Sequence, residues 1–216
     1  MKTLIISGGN IDNGLALRIL QESFEHIIGV DGGLAFCFEH GIVPTRIVGD
    51  FDTLDEKILK WYKEHTEIEI QEYNPVKDAT DTQIAVELAL KLGSKSIIIL
   101  GGTGTRLDHV LGNIQALYLA LEEGVDCRMI DTHNQIRLIQ DQCILHKSEQ
   151  YGTYFSLIPY TAEVFGVTLK GVKYPLEKHY FTVYGTGSFG VSNEVLEDQA
   201  EISLESGILI LIESKD

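Results

Sequence analysis

The chain has 216 residues, enough for one large domain or two modest ones, and its composition is that of an ordinary globular protein. Its 32 acidic residues against 17 basic ones give a formal net charge of -15, which argues against nucleic acid and anionic membranes as partners. A small phosphate ligand is compatible with this charge, because a few backbone amides and one metal ion can bind it locally.

Cysteine usage and the N-terminal sequence both predict a cytoplasmic protein. The cysteines, Cys37, Cys127 and Cys143, fit no metal-binding or redox spacing, so we expect reduced and mostly buried thiols. The apolar stretch that follows Met1 is too short for a secretory signal. The longest apolar runs in the rest of the sequence are far below membrane-spanning length.

The first part of the chain alternates short apolar runs with helical patterns. The apolar runs predict strands at 3–7, 26–30, 46–48, 67–70, 96–100 and 127–130. The patterns between them predict helices at 14–23, 34–40, 55–64, 81–92 and 107–121. Apolar, β-branched strands separated by helices are typical of a mostly parallel sheet covered on both faces. We therefore predict an α/β domain with Rossmann-like layers over residues 1–133.

The character of the sequence changes after about residue 134. Short runs rich in Val, Ile, Tyr and Phe occur at 136–139, 154–157, 164–169, 180–184, 200–204 and 208–212. Gly, Pro and Asn separate these runs, and no convincing helical pattern is present. Residues 134–216 are therefore predicted to form a small all-β sandwich.

Two aspartates follow the third predicted strand, in the sequence Gly-Asp-Phe-Asp at 49–52. Ligands of an open parallel sheet bind beyond the carboxyl ends of its strands, and Asp50 and Asp52 can converge on one hard cation if the backbone turns between them. The apolar Phe51 between two charges favours a fixed turn. The alternative is that Asp52 or Thr53 only caps the helix that follows.

A second polar cluster, Lys-Asp-Ala-Thr-Asp at 77–81, opens the helix predicted at 81–92. Lys77, Asp78, Thr80 and Asp81 lie where a helix N-terminus can hold an anionic ligand and its metal. A simple helix cap by Thr80 or Asp78 explains the same residues equally well.

A glycine-rich turn, Gly-Gly-Thr-Gly-Thr-Arg-Leu-Asp-His at 101–109, joins the most hydrophobic strand to a helix. Glycines such as Gly102 and Gly104 let the backbone approach a phosphate closely, and Arg106 can clamp phosphate oxygens with its forked donors. The sequence is neither a Walker A loop nor the dinucleotide fingerprint. His109 taken alone fits a helix-side hydrogen bond as well as a catalytic role.

Two further segments have patterns that indicate a ligand site less specifically. Asp31 and Gly32, at the end of the second predicted strand, form either a tight turn or a nucleotide-facing segment. The sequence from 187 to 194 in the β domain, taken alone, favours a polar hairpin loop.

Considered together, the strand-end clusters place many like charges at one edge of the predicted sheet. They supply one arginine, Arg106, and the carboxylates of Asp50, Asp52, Asp78, Asp81 and Asp108. Carboxylates gathered in this number repel one another unless a cation lies among them. The sequence therefore predicts a metal–triphosphate site, where catalysis of phosphoryl-type transfer needs mainly positioning and charge neutralisation.

The five motifs, in their order along the chain, resemble those of the thiamine pyrophosphokinases over nearly the whole chain. The resemblance implies Mg²⁺-dependent transfer of pyrophosphate from ATP to the hydroxyl of thiamine, which gives thiamine diphosphate and AMP. It also implies a homodimer, in which each thiamine pocket lies between the α/β domain of one subunit and the β-sandwich of the other.

The resemblance also implies roles for individual residues. It implies that Asp50, Asp52 and Asp81 bind the metal. The implied catalytic residues are these three aspartates together with Arg106 and Asp108. It implies that ATP and its phosphates contact Asp31, Gly32, Lys77, Asp78, Thr80, Gly102, Gly104 and Arg106. The residues implied to bind thiamine are Asp108, His109, Ser192 and Asn193.

Two alternatives to this function follow from the same motifs. The first is a pyrophosphokinase of another hydroxymethyl heterocycle, such as a pterin, although the sequence Ser-Asn-Glu at 192–194 argues against it. The second is a non-catalytic sensor of thiamine or nucleotide on the same scaffold. The presence of every expected aspartate argues against a sensor.

Overall fold

The structure is a computed structural model, and it describes residues 1–52, 54–73, 79–185 and 190–216. The chain divides into two compact units, Met1–Thr132 and His133–Asp216. None of the helices in the described part of the chain combines the length and the apolar character that crossing a bilayer requires.

The first unit is a parallel sheet with helices between its strands. The strands are β1 (Lys2–Ile6), β2 (His26–Val30), β3 (Arg46–Gly49), β4 (Glu69–Glu72), β5 (Ser96–Leu100) and β6 (Asp126–Ile130). The helices are α1 (Asn13–Ile19), α2 (Gly33–Glu39), α3 (Glu56–His65), α4 (Asp81–Lys91) and α5 (Leu107–Glu122). The strand order is β4-β3-β2-β1-β5-β6, and every neighbouring pair in it is parallel.

Burial explains which strands the sequence marks clearly. Ile5 and Ile6 of β1 and Ile97 and Ile99 of β5 are fully buried, as strands covered on both faces require. The edge strand β4 has no fully buried residue, which weakens its apolar pattern. It was predicted at 67–70 and lies at Glu69–Glu72.

Helix α1 is shorter than its apolar pattern predicts. Asp12 caps its start by accepting a hydrogen bond from the Leu15 backbone N–H at 2.8 Å. The helix ends at Ile19, and the N–H groups of Gln21 and Glu22 donate to carbonyls three residues back, at 3.1 and 3.0 Å. Residues 20–22 therefore form tight turns that extend the apolar pattern beyond the helix.

The second unit is an antiparallel β-sandwich, as predicted. Its strands are β7 (Asn134–Ile139), β8 (Cys143–His146), β9 (Tyr154–Pro159), β10 (Glu163–Lys170), β11 (Leu176–Thr182), β12 (Gln199–Ser203) and β13 (Leu209–Ser214). One layer has the order β7-β13-β9 and the other β11-β10-β12-β8. Buried residues from both layers, such as Phe155, Leu211, Val164 and Ile202, share one core. The sequence missed β8, which turns only Cys143 and Leu145 inward.

Candidate active site

The strand order of the first unit reverses between β1 and β5. Loops that leave the carboxyl ends of two strands at such a point diverge and leave a crevice for ligands. A cleft of about 380 Å³ opens there. It is lined by the loop after β1 (7–10), Asp31 after β2, the start of α4 (80–82) and the segment from β5 into α5 (101–106), together with His109 and Asn113.

Glycines let the two loops of the cleft approach each other. The N–H of Gly9 donates to the carbonyl of Gly101 at 2.9 Å. A Cβ on Gly9 would lie 2.2 Å from the Thr103 carbonyl oxygen, and one on Gly101, whose φ is +67°, would lie 2.1 Å from that of Ser7. These two glycines are required by the fold itself. The loop after β1 was not among the predicted sites, although the pair Gly-Gly directly after the first predicted strand is a signal that could have indicated it.

The glycines predicted to bind ATP, which are Gly32, Gly102 and Gly104, differ in their surroundings. A Cβ on Gly102 would lie 2.3 Å from the Met129 sulfur, so this position is packed against β6. Gly32 faces Gly8, because its Cβ would lie 3.4 Å from the Gly8 Cα. Gly104 lines the cleft, and the nearest atom to its Cβ would be 3.6 Å away, an ordinary contact distance. Protein packing therefore does not explain the glycine at 104.

Three carboxylates converge at the ends of β2 and β3. One carboxylate oxygen from each of Asp31, Asp50 and Asp52 lies within 4.8 Å of the other two. The backbone between the last two turns at the buried Phe51, whose φ is +59°, and Asp31 also has a positive φ, of +41°. Non-glycine residues in this left-handed region cost about 1–3 kcal/mol each, and such strain is typical of functional sites.

The cap of the next helix is a different aspartate. The side chain of Asp55 accepts a hydrogen bond from the Lys57 N–H at 2.9 Å and so caps α3. Asp52 instead donates its backbone N–H to Asp50 Oδ1 at 3.3 Å, within the turn. The helix-cap alternative for Asp52 is therefore not needed, while Thr53 lies outside the described residues.

The start of α4 combines a helix cap with a cleft wall. Thr80 accepts a hydrogen bond from the Gln83 N–H at 3.1 Å, which makes it the N-cap, and Asp81 is the first helical residue. Both residues line the cleft. The carboxylate group described above contains Asp31 rather than Asp81, the third metal ligand that the resemblance implied. Lys77 and Asp78 lie outside the described residues.

Arg106 and Asp108 form a two-pronged ion pair at the start of α5. The Nη2 of Arg106 lies 2.6 Å from Asp108 Oδ2, and its Nε lies 3.2 Å from Oδ1. The hydrogen-bonded Arg106 guanidinium and, to a lesser extent, the backbone N–H of His109 together lower the pKa of the Asp108 carboxyl to about 2. Both side chains of the pair are about two-thirds exposed, at 68% and 66%. Arg106 and His109 line the cleft.

Two residues predicted to bind thiamine lie in the second unit, where they play different parts. Asn193 is 2% exposed, and its Oδ1 accepts hydrogen bonds from the N–H groups of Tyr174 and Glu194 at 3.0 and 2.9 Å. Its Nδ2 donates to the Tyr174 carbonyl at 2.9 Å. Ser192 is exposed, has a φ of +57°, and donates its N–H to Ser156 Oγ at 3.1 Å. Residues 187–189 of the same motif lie outside the described residues.

The parallel sheet, with a glycine-lined cleft at its switch point, places the first unit among the doubly wound α/β proteins. Two family descriptions match the chain: "Thiamin pyrophosphokinase, catalytic domain" over residues 17–129 and "Thiamin pyrophosphokinase, vitamin B1 binding domain" over residues 142–209. The chain belongs to the thiamine pyrophosphokinase family.

Individual relatives are similar over the whole chain. A thiamine pyrophosphokinase from Bacillus subtilis (strain 168) is 34% identical over 218 residues, which is 100% of both proteins. A crystal structure of the thiamine pyrophosphokinase from Bacillus subtilis superposes with a TM-score of 0.87 at 33% identity, with 100% of both chains covered. That from Geobacillus thermodenitrificans gives 0.85 at 29% identity, with 100% of this chain and 98% of the other covered. These similarities confirm the predicted family and fold class.

Proposed function

We propose that the protein is a magnesium-dependent enzyme that transfers pyrophosphate from ATP to the hydroxyl of thiamine and releases AMP. The observation that carries this proposal is the carboxylate group of Asp31, Asp50 and Asp52. It lies on the edge of the parallel sheet where the glycine-lined cleft opens, in a chain of this family. Residues 1–133 would bind nucleotide and carry out catalysis, and residues 134–216 would bind thiamine.

The carboxylate group fits a hard divalent cation. Oxygen donors within 4.8 Å of one another suit Mg²⁺, which takes few protein carboxylates and completes its shell with phosphate oxygens and water. Three negative charges this close are unfavourable without a cation. Asp31, Asp50 and Asp52 would hold the metal, and Asp81 would face the same phosphates from the start of α4. Magnesium would neutralise phosphate charge during the transfer.

The protein supplies the rest of the phosphate site from the starts of two helices. The first N–H groups of α4 and α5 lack helical partners and favour negative charge, and residues 80–82 and Arg106 line the cleft at these starts. Arg106 would exchange its Asp108 partner for phosphate oxygens, which suit its planar fork. We also propose that Gly32, Lys77, Asp78 and Gly104 contact ATP.

The reaction is a displacement at the β-phosphorus of ATP. The hydroxyl oxygen of thiamine forms a bond to that phosphorus, the bond from the phosphorus to the oxygen bridging the α-phosphate breaks, and AMP leaves. One aspartate takes the hydroxyl proton. While Arg106 holds the pKa of Asp108 at about 2, that carboxylate is a weak base. Movement of Arg106 onto phosphate would raise the basicity of Asp108 beside the substrate.

Thiamine recognition would use charge and a turn of the sandwich. A cationic thiazolium suits a carboxylate-rich cleft, with Asp108 and His109 beside it. Ser192 would contact thiamine through its exposed hydroxyl. Asn193, whose side chain bonds to Tyr174 and Glu194, would act by holding the Ser192 turn. We propose that the protein acts in the cytoplasm.

The test of this function is a product analysis. Purified protein incubated with thiamine, ATP and magnesium should yield thiamine diphosphate and AMP in equal amounts. Formation of ADP and thiamine monophosphate would refute pyrophosphate transfer. A panel that includes a hydroxymethylpterin should show turnover with thiamine alone, and binding without turnover would indicate a sensor.

We also propose a homodimer with its active sites between subunits, and complementation tests it. An Asp52→Asn chain is mixed with a Ser192→Arg chain, whose added cation should repel thiazolium. If each site takes Asp52 from one subunit and Ser192 from the other, mixed dimers regain one intact site and activity returns. Sites contained within single subunits would leave the mixture inactive, since each site would then carry one substitution.

A further inference from the structure

Asn113 is a buried cleft residue to which the proposed function gives no task. It lies on α5 with 7% of its surface exposed, and its Nδ2 donates to the carbonyl of Gly102 at 2.8 Å. This bond ties the helix to the loop that leaves β5. A buried asparagine that donates a hydrogen bond to a loop carbonyl fixes the orientation of that peptide group.

The fixed carbonyl also fixes the N–H on the other side of the same peptide. The described part of the chain contains no cis peptide bond, and in a trans peptide the C=O and N–H groups point in opposite directions. The N–H of Thr103 therefore points away from Asn113. Thr103 is half-buried and lines the cleft, and none of the described residues accepts a hydrogen bond from its N–H.

The surroundings of this peptide hold it in place from two further sides. The Thr103 carbonyl accepts a hydrogen bond from the Asn10 N–H at 2.7 Å. A Cβ on Gly102 would come within 2.3 Å of the Met129 sulfur, so the backbone there is closely packed. Among these contacts, the one from Asn113 is made to the carbonyl of the Gly102–Thr103 peptide itself, so its loss would remove the side-chain hydrogen bond that orients this peptide.

We infer that Asn113 is a positioning residue, which holds the Gly102–Thr103 peptide so that the Thr103 N–H donates to a phosphate oxygen of the nucleotide. The inference rests on the proposed function, because it takes the cleft to bind ATP. A peptide turned the other way would aim a carbonyl oxygen at the phosphate, which repels it. The donor is a backbone group, so the residue type at 103 carries no sequence signal for it.

The test uses the magnesium complex of a non-hydrolysable ATP analogue, measured by calorimetry and by the ¹⁵N–¹H signal of Thr103. In the wild-type protein the analogue should shift the Thr103 N–H signal downfield. Asn113→Ala should abolish that shift and weaken binding of the analogue about tenfold, the scale of one hydrogen bond to a charged group. The KM for thiamine should stay unchanged.

Matched variants separate positioning from loss of stability. Gln135→Ala removes a buried amide donor to Glu213, which lies 2.8 Å away in the second unit, and should leave binding of the analogue unchanged. Asn113→Gln keeps an amide donor and should recover part of the affinity. If Asn113→Ala does not fold, Asn113→Asp replaces it, since an ionised carboxylate cannot donate to Gly102 and should also weaken binding.

The outcomes separate a failure of the proposed function from a failure of the role inferred for Asn113. A wild-type protein that does not bind the analogue overturns the proposed function, and this inference with it. A wild-type protein that binds, with Asn113→Ala or Asn113→Asp binding equally tightly and the Thr103 signal still shifting, overturns the inference alone.

Discussion

The carboxyl edge of the parallel sheet and the turn around Ser192 carry their candidate residues in different ways. At the sheet edge, Asp31 and Asp50 come from separate strands and meet because all parallel strands end on the same side. At the turn, neighbours in sequence point in opposite directions: Asn193 is 2% exposed and Ser192 is exposed. A motif at a parallel strand end therefore predicts convergence, whereas a motif in a turn does not tell which side chain faces a ligand.

The largest effect should come from removing one charge at the sheet edge. Asp52→Asn keeps the size of the side chain but weakens the proposed metal site, so turnover should fall about a hundredfold or more, as when one preorganised charge-stabilising group is lost. The magnesium concentration for half-maximal rate should rise. The measurement is AMP formation across a magnesium titration.

Asp55→Asn is the matched control for this variant. Asp55 caps α3, and asparagine caps a helix about as well as aspartate, so stability and turnover should both stay near the wild-type values. Equal turnover in the Asp52→Asn and wild-type proteins would remove Asp52 from the metal site.

Substitutions of two cleft glycines should have different effects, one on the stability of the fold and the other on ligand binding. Gly9→Ala places a Cβ 2.2 Å from the Thr103 carbonyl oxygen, so it should destabilise the fold by more than about 1–3 kcal/mol, the usual cost of overpacking. Gly104→Ala has room for its Cβ and should fold normally but bind ATP about tenfold more weakly, because the added methyl group keeps phosphate from the backbone. Thermal unfolding and nucleotide binding, measured on both variants, check this. Unchanged ATP affinity in Gly104→Ala would mean that position 104 is not at the phosphates.

Substitutions at two adjacent residues of the turn in the second unit should change the free energy of unfolding in opposite directions. Asn193→Ala leaves the N–H and carbonyl of Tyr174 without their side-chain partners, which should lower the free energy of unfolding by about 1–3 kcal/mol. Ser192→Gly relieves a φ of +57° and should be neutral or stabilise by up to about 1 kcal/mol. Chemical denaturation measures both values. A fully stable Asn193→Ala protein would show that these hydrogen bonds do not hold the turn.

The sequence predicted the parallel sheet and the sandwich well because buried strands leave long apolar signals. It placed β4 poorly and missed β8, since an edge strand and a short alternating strand leave little such signal. At the site, it identified Asp50 and Asp52 from their position after β3. The joining of Asp31 to them depends on the pairing of β2 with β3, and that register is a tertiary property.

Other parts of the site have no local signature at all. The loop after β1 enters the cleft because β1 lies beside β5, a neighbour distant in sequence. The contact from Asn113 to Gly102 depends on the packing of α5 against its own entry loop. Sequence spacing also did not predict that Arg106 and Asp108, both expected to face ligands, bind each other.

The smallest predicted effect concerns that ion pair, and it is a change in titration. Arg106 holds the pKa of Asp108 at about 2, against about 3.9 for an unperturbed aspartate. A lowered carboxyl pKa means that the pair stabilises the fold above pH of about 3.9 and that this contribution is lost as pH falls through about 2. Arg106→Gln should therefore raise the pKa of Asp108 towards 3.9, measured by carboxyl ¹³C shifts over a pH titration.

Lys173→Gln is the control, because it removes a partly exposed ion pair, with Glu194 at 2.5 Å, from the second unit. It should leave the Asp108 titration at about 2. The same titration is then repeated with the magnesium complex of a non-hydrolysable ATP analogue. If phosphate takes Arg106 from Asp108, nucleotide should raise the pKa of Asp108 in the wild-type protein as Arg106→Gln does. An Asp108 that still titrates at about 2 with nucleotide bound would mean that Arg106 stays on its carboxylate and does not clamp phosphate.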